Sequence, residues 1–246
     1  MMTSKNTPYT LCSLLFEVQS DYETNLTTLI ELIEQQPKHS LIVAPEVCLS
    51  GYDYEHFDAM VAFSTKAVEV IKQHSFEKII ILTMVEKRSD GVYNVAKVFH
   101  NGEVVYERAK ARLFRFGDEH KYMLEGSDDE FKIITVDGIK IAVFICFELR
   151  FKELWQMSEG ADVIAVCAWW GKIRSENFRA ITQTLAIINQ CYVVASDAQN
   201  DECTALSGII TPMGEESRNE KAEALCVPYS TKEIEKMRRY MDVGIK

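Results

Sequence analysis

The chain has 246 residues, of which 47% are hydrophobic, and this is enough apolar material for a sizeable core. Its net charge of −10 repels phosphate backbones, so we expect no nucleic-acid partner. The apolar runs are too short to cross a bilayer, and the polar start Met1–Pro8 with the short apolar stretch Leu11–Phe16 lacks the pattern of a signal peptide. We therefore expect no membrane partner and a cytoplasmic location.

The first half of the chain alternates apolar, strand-like runs with segments of helical periodicity. Asn101-Gly102 lies between two such runs and predicts a hairpin, because this dipeptide adopts the left-handed conformations of tight turns. The elements predicted here are the strand Leu11–Val18, the helix Tyr22–Gln36, the strand Ser40–Ala44, the helix Phe57–Gln73 and the strands Lys78–Val85, Tyr93–His100 and Glu103–Tyr106.

The second half repeats this alternation, and Asp137-Gly138 predicts a second hairpin. Because hairpins are mixed with strand–helix–strand units, we predict an α/β protein with mixed sheets. No linker or repeat interrupts the chain, so residues 1–246 are expected to form a single domain. The elements predicted here are the strands Lys132–Val136 and Lys140–Phe147, the helix Lys152–Ser158, the strand Val163–Ala168, the helix Ser175–Asn189, the strands Tyr192–Ser196, Leu206–Thr211 and Ala224–Pro228, and the helix Lys232–Arg239.

Seven cysteines are scattered along the chain. Their odd number and the lack of CxxC spacing argue against a disulfide framework and against a zinc site. We expect most of them to be reduced, buried, small apolar side chains. They are Cys12, Cys48, Cys146, Cys167, Cys191, Cys203 and Cys226.

Three strands end in residues that can carry chemistry. Glu46 follows the apolar run 41–44 and Pro45, and strand ends are where α/β folds place reactive groups. Cys146 closes the strongly apolar run that begins at Ile139, where the pattern changes as it does at a nucleophile on a tight strand-to-helix turn. Taken alone, a surface glutamate and a buried structural cysteine are the commoner interpretations.

The third strand end carries cations of one parity, Arg108, Lys110 and Arg112, which would share a face with Tyr106 and Phe114. Three cations on one face are costly unless anions lie opposite them. A solvated basic edge strand is the simpler explanation of this segment by itself.

Together these residues fit one reaction. Amide hydrolysis by a thiol needs a nucleophile, a proton acceptor and a positive group for the tetrahedral oxyanion. Cys146 is the candidate nucleophile, Glu46 the base that later activates water, and Lys110 the cation that stabilises the oxyanion and the thiolate. The backbone N–H of Phe147 is a candidate second oxyanion donor.

The same residues resemble the nitrilase superfamily of carbon–nitrogen hydrolases, which use a Glu-Lys-Cys catalytic set. The similar blocks follow one another in the family's order along nearly the whole chain. They are Gln19 with Asn25-Leu26, Ala44-Pro45-Glu46 with Ser50-Gly51-Tyr52, Tyr93-Asn94 with Asn101-Gly102, Lys110-Ala-Arg-Leu-Phe114, Cys146-Phe-Glu-Leu-Arg150 and Ser207-Gly-Ile-Ile-Thr-Pro212-Met-Gly214.

The resemblance implies an αββα sandwich, in which two mixed sheets are flanked by helices, and a homodimer or higher homo-oligomer. It implies no metal and no organic cofactor. It also implies a second glutamate that orients Lys110, for which Glu119 is the candidate and Asp118 a close rival.

The chain departs from the family pattern at several positions. Glu148 stands where the family usually has Asp, Arg112 where it often has His, and Asp197 where it often has Asn. A proline usual near Lys152 is missing, and Ile188 replaces the Glu of a common Glu-Asn pair. These changes leave the catalytic set intact but concern the pocket, so they bear on the substrate.

The expected substrate is a small linear amide that reacts with water and releases ammonia. Trp169 and Trp170 follow the strand after Cys146, where the resemblance places the pocket, although core packing explains either side chain equally well. Arg112, Arg115 and Arg150 are candidates to bind a substrate carboxylate, because a guanidinium matches its geometry. The stretch 112–122 is closer in appearance to omega-amidases than to nitrilases.

Three alternatives stay open. The first is another branch of the superfamily, an N-carbamoyl amino-acid hydrolase or a nitrilase, which differs in the compounds that yield ammonia. The second is a catalytically silent binding or scaffold protein, which selective labelling of one cysteine by an electrophile would exclude. The third is a thiol redox protein, which the lack of a resolving cysteine near Cys146 disfavours.

Overall fold

The structure is a computed structural model that describes residues 9–218 and 222–245. The polar start Met1–Pro8, on which part of the predicted location depends, lies outside the described residues. Within the described ranges, no helix is both long and apolar enough to cross a bilayer.

The first sheet has six strands in the order β12-β1-β2-β3-β4-β5. Strands β1, β2 and β3 are parallel, whereas β4, β5 and β12 join by antiparallel pairing. The strands are β1 Thr10–Leu14, β2 Ser40–Val43, β3 Lys78–Lys87, β4 Val92–His100, β5 Glu103–Ala109 and β12 Ala224–Pro228.

The second sheet has the order β11-β10-β9-β8-β7-β6. Its centre is parallel, from β7 to β9, and its flanks are antiparallel. The strands are β6 Ile134–Val136, β7 Ile139–Ile145, β8 Val163–Ala168, β9 Tyr192–Asp197, β10 Gly208–Ile210 and β11 Glu216–Arg218. The prediction of mixed sheets in an α/β protein is thus confirmed.

The two sheets pack face to face, and helices cover their outer faces. Alternate residues of one strand enter different cores, since successive side chains point to opposite faces. Leu41 of β2 lies between the sheets, while its neighbour Ile42 packs against the helices. Both faces of this strand are therefore buried, which explains why its sequence is continuously apolar. The helices are α1 Tyr22–Gln35, α2 Phe57–Gln73, α3 Lys152–Met157, α4 Ser175–Asn189 and α5 Thr231–Tyr240.

Both predicted hairpin turns are present. Asn101 and Gly102 have φ values of 50° and 83°, and Asp137 and Gly138 have 46° and 82°. Two positive φ values in succession are what a two-residue hairpin of the favoured hand requires.

The largest errors in the predicted bounds are at the ends of β1 and β5. Strand β1 ends at Leu14 instead of Val18, because residues 15–20 leave the sheet. Strand β5 runs to Ala109, three residues beyond the predicted end at Tyr106, and so carries the chain directly to Lys110. Strand β11 was not predicted.

Candidate active site

The residues predicted from the three strand ends lie close together at one end of the sandwich. Glu46 follows β2 and donates its backbone N–H to Ala168 O of the other sheet at 3.1 Å. Lys110 follows β5 and donates its backbone N–H to Asn94 O at 2.7 Å. Cys146 follows β7 as the first residue of a 3₁₀ helix, Cys146–Arg150. These main-chain bonds attach the segments to both sheets, so the side chains are held by rigid elements.

A buried lysine joins two buried glutamates. Lys110 Nζ donates to Glu46 Oε1 and to Glu119 Oε1, each at 2.7 Å. All three residues are at most 3% exposed. The rival Asp118 is exposed and pairs with Lys121 instead. Glu119 is therefore the second carboxylate at the lysine.

Two polar side chains, Asn94 and Tyr52, complete this cluster. Asn94 Nδ2 donates to Glu46 Oε1 at 2.9 Å, and the Tyr52 hydroxyl donates to Glu119 Oε1 at 2.9 Å. Both residues stand in blocks of the sequence that carry the family resemblance. Neither residue was predicted for the site, because a polar residue inside an apolar strand and a tyrosine in a loop have many explanations.

Burial and mutual charge determine the protonation of the cluster. Burial raises the pKa of Glu46 above the ordinary value; the charge of Lys110 opposes this rise, and the charge of Glu119 adds to it. Burial alone would lower the pKa of Lys110, but Glu119 and Glu46 outweigh it and hold this pKa above the ordinary value. Glu46 is therefore a stronger base than an exposed glutamate, beside a lysine that stays charged.

One oxygen of this cluster lacks a protein partner. Glu46 Oε2 is buried and has no hydrogen-bond partner among the described residues. A buried carboxylate oxygen without a donor is costly and uncommon. Such an oxygen can accept a proton from a molecule or side chain that approaches it.

Cys146 has an unusual backbone conformation. Its φ is 43°, in the left-handed region that non-glycine residues seldom adopt, and Val47 next to Glu46 has a φ of 42°. Such conformations persist where the surroundings enforce them, and they concentrate at functional sites. The Cys146 thiol donates to Trp169 O at 3.5 Å. Burial, and next the charge of Glu46, raise the pKa of Cys146, while Lys110 opposes this rise. The resting thiol is therefore protonated.

A second buried ion pair holds the turn on which Cys146 stands. Arg108 and Glu148 are both fully buried and form a bidentate pair. Glu148 also accepts the backbone N–H groups of Ala111 and Ile145, each at 2.7 Å. Glu148 has one methylene more than the family's usual Asp. Its carboxylate links Arg108 of β5 to the turn after β7.

A pocket of about 210 Å³ opens onto Cys146. Four residues predicted for the substrate site line it, namely Phe147, Arg150, Trp169 and Trp170. Its other lining residues are Phe114, Phe116 and Arg174. Arg174 was not predicted, since it lies in a polar segment between a strand and a helix without a motif of its own.

The arginines differ in their availability. Arg150 lies over the ring of Trp170, 5.0 Å from its centroid, and donates to Asn177 Oδ1 at 3.1 Å, so no carboxylate neutralises it in these contacts. Arg174 lies over the ring of Phe114 at 5.2 Å. Arg112 is outside the pocket and forms a bidentate pair with Asp128 at 2.6 Å. The structure therefore does not bring Arg112 to the site, because Asp128 binds its guanidinium.

Asp197 binds the backbone of Trp170, a residue of the pocket lining. Its Oδ1 accepts the backbone N–H of Trp170 at 2.7 Å, and its Oδ2 accepts the backbone N–H and the hydroxyl of Thr204 at 3.0 and 2.7 Å. Burial raises the pKa of Asp197 to about 7, against these hydrogen bonds. The side chain at this position, where the family often has Asn, thus accepts hydrogen bonds from three donors.

The site has no cluster typical of a metal centre. Across residues 9–218 and 222–245, no three His, Cys, Asp or Glu side chains are grouped so that they could hold a metal ion.

Comparison with known proteins gives concordant results. A family model described as carbon-nitrogen hydrolase matches residues 8–216. The 2-oxoglutaramate amidase of Bacillus subtilis is 31% identical over 74% of this chain and 74% of its own length. The deaminated glutathione amidase of Escherichia coli O157:H7 is 24% identical over 81% of both chains.

Solved structures agree on the fold. A CN-hydrolase superfamily protein of Xanthomonas campestris superposes with a TM-score of 0.83 at 19% identity, over 96% of both chains. Nit3 of Saccharomyces cerevisiae, a member of branch 10 of the nitrilase superfamily, gives a TM-score of 0.80 at 21% identity, over 97% of this chain and 96% of its own.

Proposed function

Since the chain belongs to the carbon–nitrogen hydrolase family and is an amidase-type hydrolase, we propose that it cleaves small linear amides through a thioester on Cys146. The observation that carries this proposal is the contact of Lys110 with both Glu46 and Glu119, in electrostatic reach of Cys146. The candidate nucleophile Cys146 thus lines the pocket, and the candidate base and cation act on it electrostatically.

In the first step, the Cys146 thiol transfers its proton to Glu46 as the sulfur attacks the amide carbon. Glu46 suits this role because its pKa is raised by burial, so it accepts a proton more readily than an exposed carboxylate. Lys110 and the backbone N–H of Phe147 stabilise the tetrahedral oxyanion. Phe147 stands in the first turn of the 3₁₀ helix, where N–H groups lack an acceptor within the helix.

In the second step, the C–N bond breaks. The leaving nitrogen takes the proton from Glu46 and departs as ammonia, and the acyl group stays on Cys146 as a thioester. Glu46 then removes a proton from water, which attacks the thioester carbon. Collapse of this second intermediate releases the carboxylic acid and returns the proton to the sulfur. Glu119 and Tyr52 keep Lys110 in position throughout.

The proposed substrate carries a carboxylate of its own. Arg150 and Arg174 lie on the pocket wall together with Trp169 and Trp170, and neither is bound by a carboxylate in the contacts described above. An arginine fork matches a carboxylate bidentately. The similar proteins named 2-oxoglutaramate amidase and omega-amidase support an ω-amide of a dicarboxylic acid. Arg112 is left out of this substrate site.

The test is ammonia release from a panel of small amides, nitriles and ureido acids. We expect release from carboxylate-bearing amides, abolished in Cys146→Ala and retained in the matched control Cys167→Ala, since Cys167 is absent from the pocket lining. Release from nitriles or ureido acids alone would favour the other branches. A Cys146→Ala protein as active as wild type would overturn the mechanism.

The carboxylate preference has its own test. Arg150→Met and Arg174→Met should each raise KM for a carboxylate-bearing amide by about tenfold, with little change for a neutral amide of equal length. Arg112→Met is the matched control and should change neither value. Equal effects on both substrates would contradict carboxylate recognition.

We also propose that residues 1–246 form one domain and that the chain works as a homodimer or higher homo-oligomer in the cytoplasm. The exposed apolar side chains of Met157, Ile187 and Ile188 on α3 and α4 support pairing through this layer. Seven cysteines without a disulfide support a reducing compartment. Light scattering after size-exclusion chromatography tests the dimer, and Ile188→Glu should shift it to monomer.

A further inference from the structure

Two cysteines face each other across the strands that join the two ends of the chain. Cys12 in β1 and Cys226 in β12 are directly paired in an antiparallel register. Their sulfur atoms are 2.6 Å apart, which is inside the normal contact distance of two unbonded sulfurs. The length of a disulfide bond is about 2.05 Å. The pair is therefore nearly at bonding distance.

The hydrogen bonds of the ladder identify the kind of rung on which this pair lies. Leu15 N donates to Glu223 O at 2.8 Å, and Tyr229 N donates to Tyr9 O at 2.9 Å, which makes the odd-numbered positions of β1 the hydrogen-bonded rungs. Cys12 is at an even position, so its rung with Cys226 is not hydrogen-bonded. Such rungs bring the Cα atoms to about 4.5 Å, inside the range that a disulfide spans.

The two thiols differ in access. Cys226 is exposed on β12, an edge strand of the first sheet, whereas Cys12 is buried among side chains of the helix layer. The Cys12 thiol stabilises the thiolate of Cys226 and so lowers its pKa, while this contact, and next burial, raise the pKa of Cys12. An accessible thiol with a lowered pKa thus lies beside a protected thiol, which is the arrangement of an attacking and a resolving cysteine.

We propose that Cys12 and Cys226 form a modification site, a dithiol that small disulfides such as oxidised glutathione convert to an intramolecular disulfide. The Cys226 thiolate attacks one sulfur of the small disulfide, forms a mixed disulfide and releases one thiolate. Cys12 then loses its proton to solvent and attacks the Cys226 sulfur, which expels the second small thiolate. Two protein thiols are oxidised and one small disulfide is reduced to two thiols.

The bond would fasten the edge strand β12 to β1 and close a loop between residues 214 positions apart. Closing so long a loop restricts the unfolded chain strongly. It also holds the exposed edge in place, where strands are prone to pair with other chains. The site is separate from Cys146, which lies in a different core cluster.

The experiment treats the full-length protein with oxidised glutathione and maps its peptides under non-reducing conditions. We expect a cross-linked peptide that contains Cys12 and Cys226, reversed by dithiothreitol, and a melting temperature higher by at least about 5 °C. Cys226→Ser removes an exposed thiol and should show neither the cross-link nor the temperature rise. Cys203→Ala is the matched control and should retain both.

Three results would overturn the proposal. The first is glutathione that stays on Cys226 while Cys12 remains a free thiol. The second is oxidation of other cysteines with this pair unreacted. The third is a temperature rise of equal size in Cys226→Ser. Each readout is a mass or a melting temperature, so none of them depends on the proposed hydrolase activity.

Discussion

Two buried charge clusters form around cations at the end of β5, Arg108 with Glu148 and Lys110 with Glu46 and Glu119. They differ in how many hydrogen-bond donors their carboxylate oxygens have. Glu148 has four donors for its two oxygens, which are two from Arg108 and the backbone N–H groups of Ala111 and Ile145. Glu46 has donors only at Oε1, from Lys110 and Asn94, and its Oε2 is unpartnered in the part of the chain that the structure describes.

We infer from this difference that Glu148 supports the structure and that Glu46 takes part in the reaction. A saturated carboxylate has no lone pair free for a proton, and its donors tie three chain segments together. An unsaturated one bears the cost of desolvation and keeps an oxygen available for proton transfer. Burial and charge alone would not tell the two clusters apart, since both are fully buried and both contain a cation.

The largest effect is expected from neutralising the reactive carboxylate. Glu46→Gln should lower kcat/KM by about 10⁴-fold, because the amide cannot accept the thiol proton. Its stability should change little, because Lys110 retains Glu119. Steady-state ammonia release and urea unfolding measure the two quantities.

Glu148→Gln is the matched neutralisation in the saturated cluster. It should lower stability, because one of its donors would face an amide NH₂ in place of an oxygen. If Glu46→Gln lost stability and Glu148→Gln lost only activity, the assignment of the two clusters would be reversed.

Breaking the Arg108–Glu148 pair should mainly lower the free energy of unfolding. Arg108→Met leaves Glu148 charged and buried without its cation, which typically costs about 3–5 kcal/mol. The change in the free energy of unfolding is measured by urea titration. Lys66→Met is the control, since the Lys66–Glu23 pair is about 59% exposed on both sides and should contribute less than about 1 kcal/mol. A loss below that of the control would show that the buried pair adds no stability.

Asp197 extends the comparison to a buried carboxylate that has donors but no cation among the contacts described for it. Asp197→Asn should lower stability by about 1–3 kcal/mol, because its NH₂ group would face the N–H of Trp170 or of Thr204.

The pH dependence of this loss has a definite sign. The pKa of Asp197 is about 7 in the folded state against an ordinary 3.8, so the folded state binds its proton more tightly than the unfolded state does. The stability gained in this way is fully present below pH 4 and is lost as the pH rises through 7. The deficit of Asp197→Asn should therefore be larger at pH 5 than at pH 8, as measured by unfolding at both values. A deficit that grows with pH would show that the ionised form is the stabilised one.

Expectations from the sequence were sound where a local pattern had one physical cause. The two hairpins followed from Asn-Gly and Asp-Gly, and the helix α2, Phe57–Gln73, has its predicted bounds. The parity of Arg108, Lys110 and Arg112 predicted a shared face that would need anions, and each of the three has one. The boundaries failed at residues 15–18, where apolar composition continues after the strand leaves the sheet.

What the sequence determined by itself was the order of the elements and the residue types at the strand ends, because periodicity and turn chemistry act within a few residues. Only the tertiary structure decided which charges meet. Lys110 and Glu46 are 64 positions apart, and Arg108 and Glu148 are 40. No local pattern could assign Asp128 to Arg112 or leave Arg150 and Arg174 at the pocket. Partners at such separations are set by sheet order and packing, which bring strand ends together irrespective of their distance along the chain.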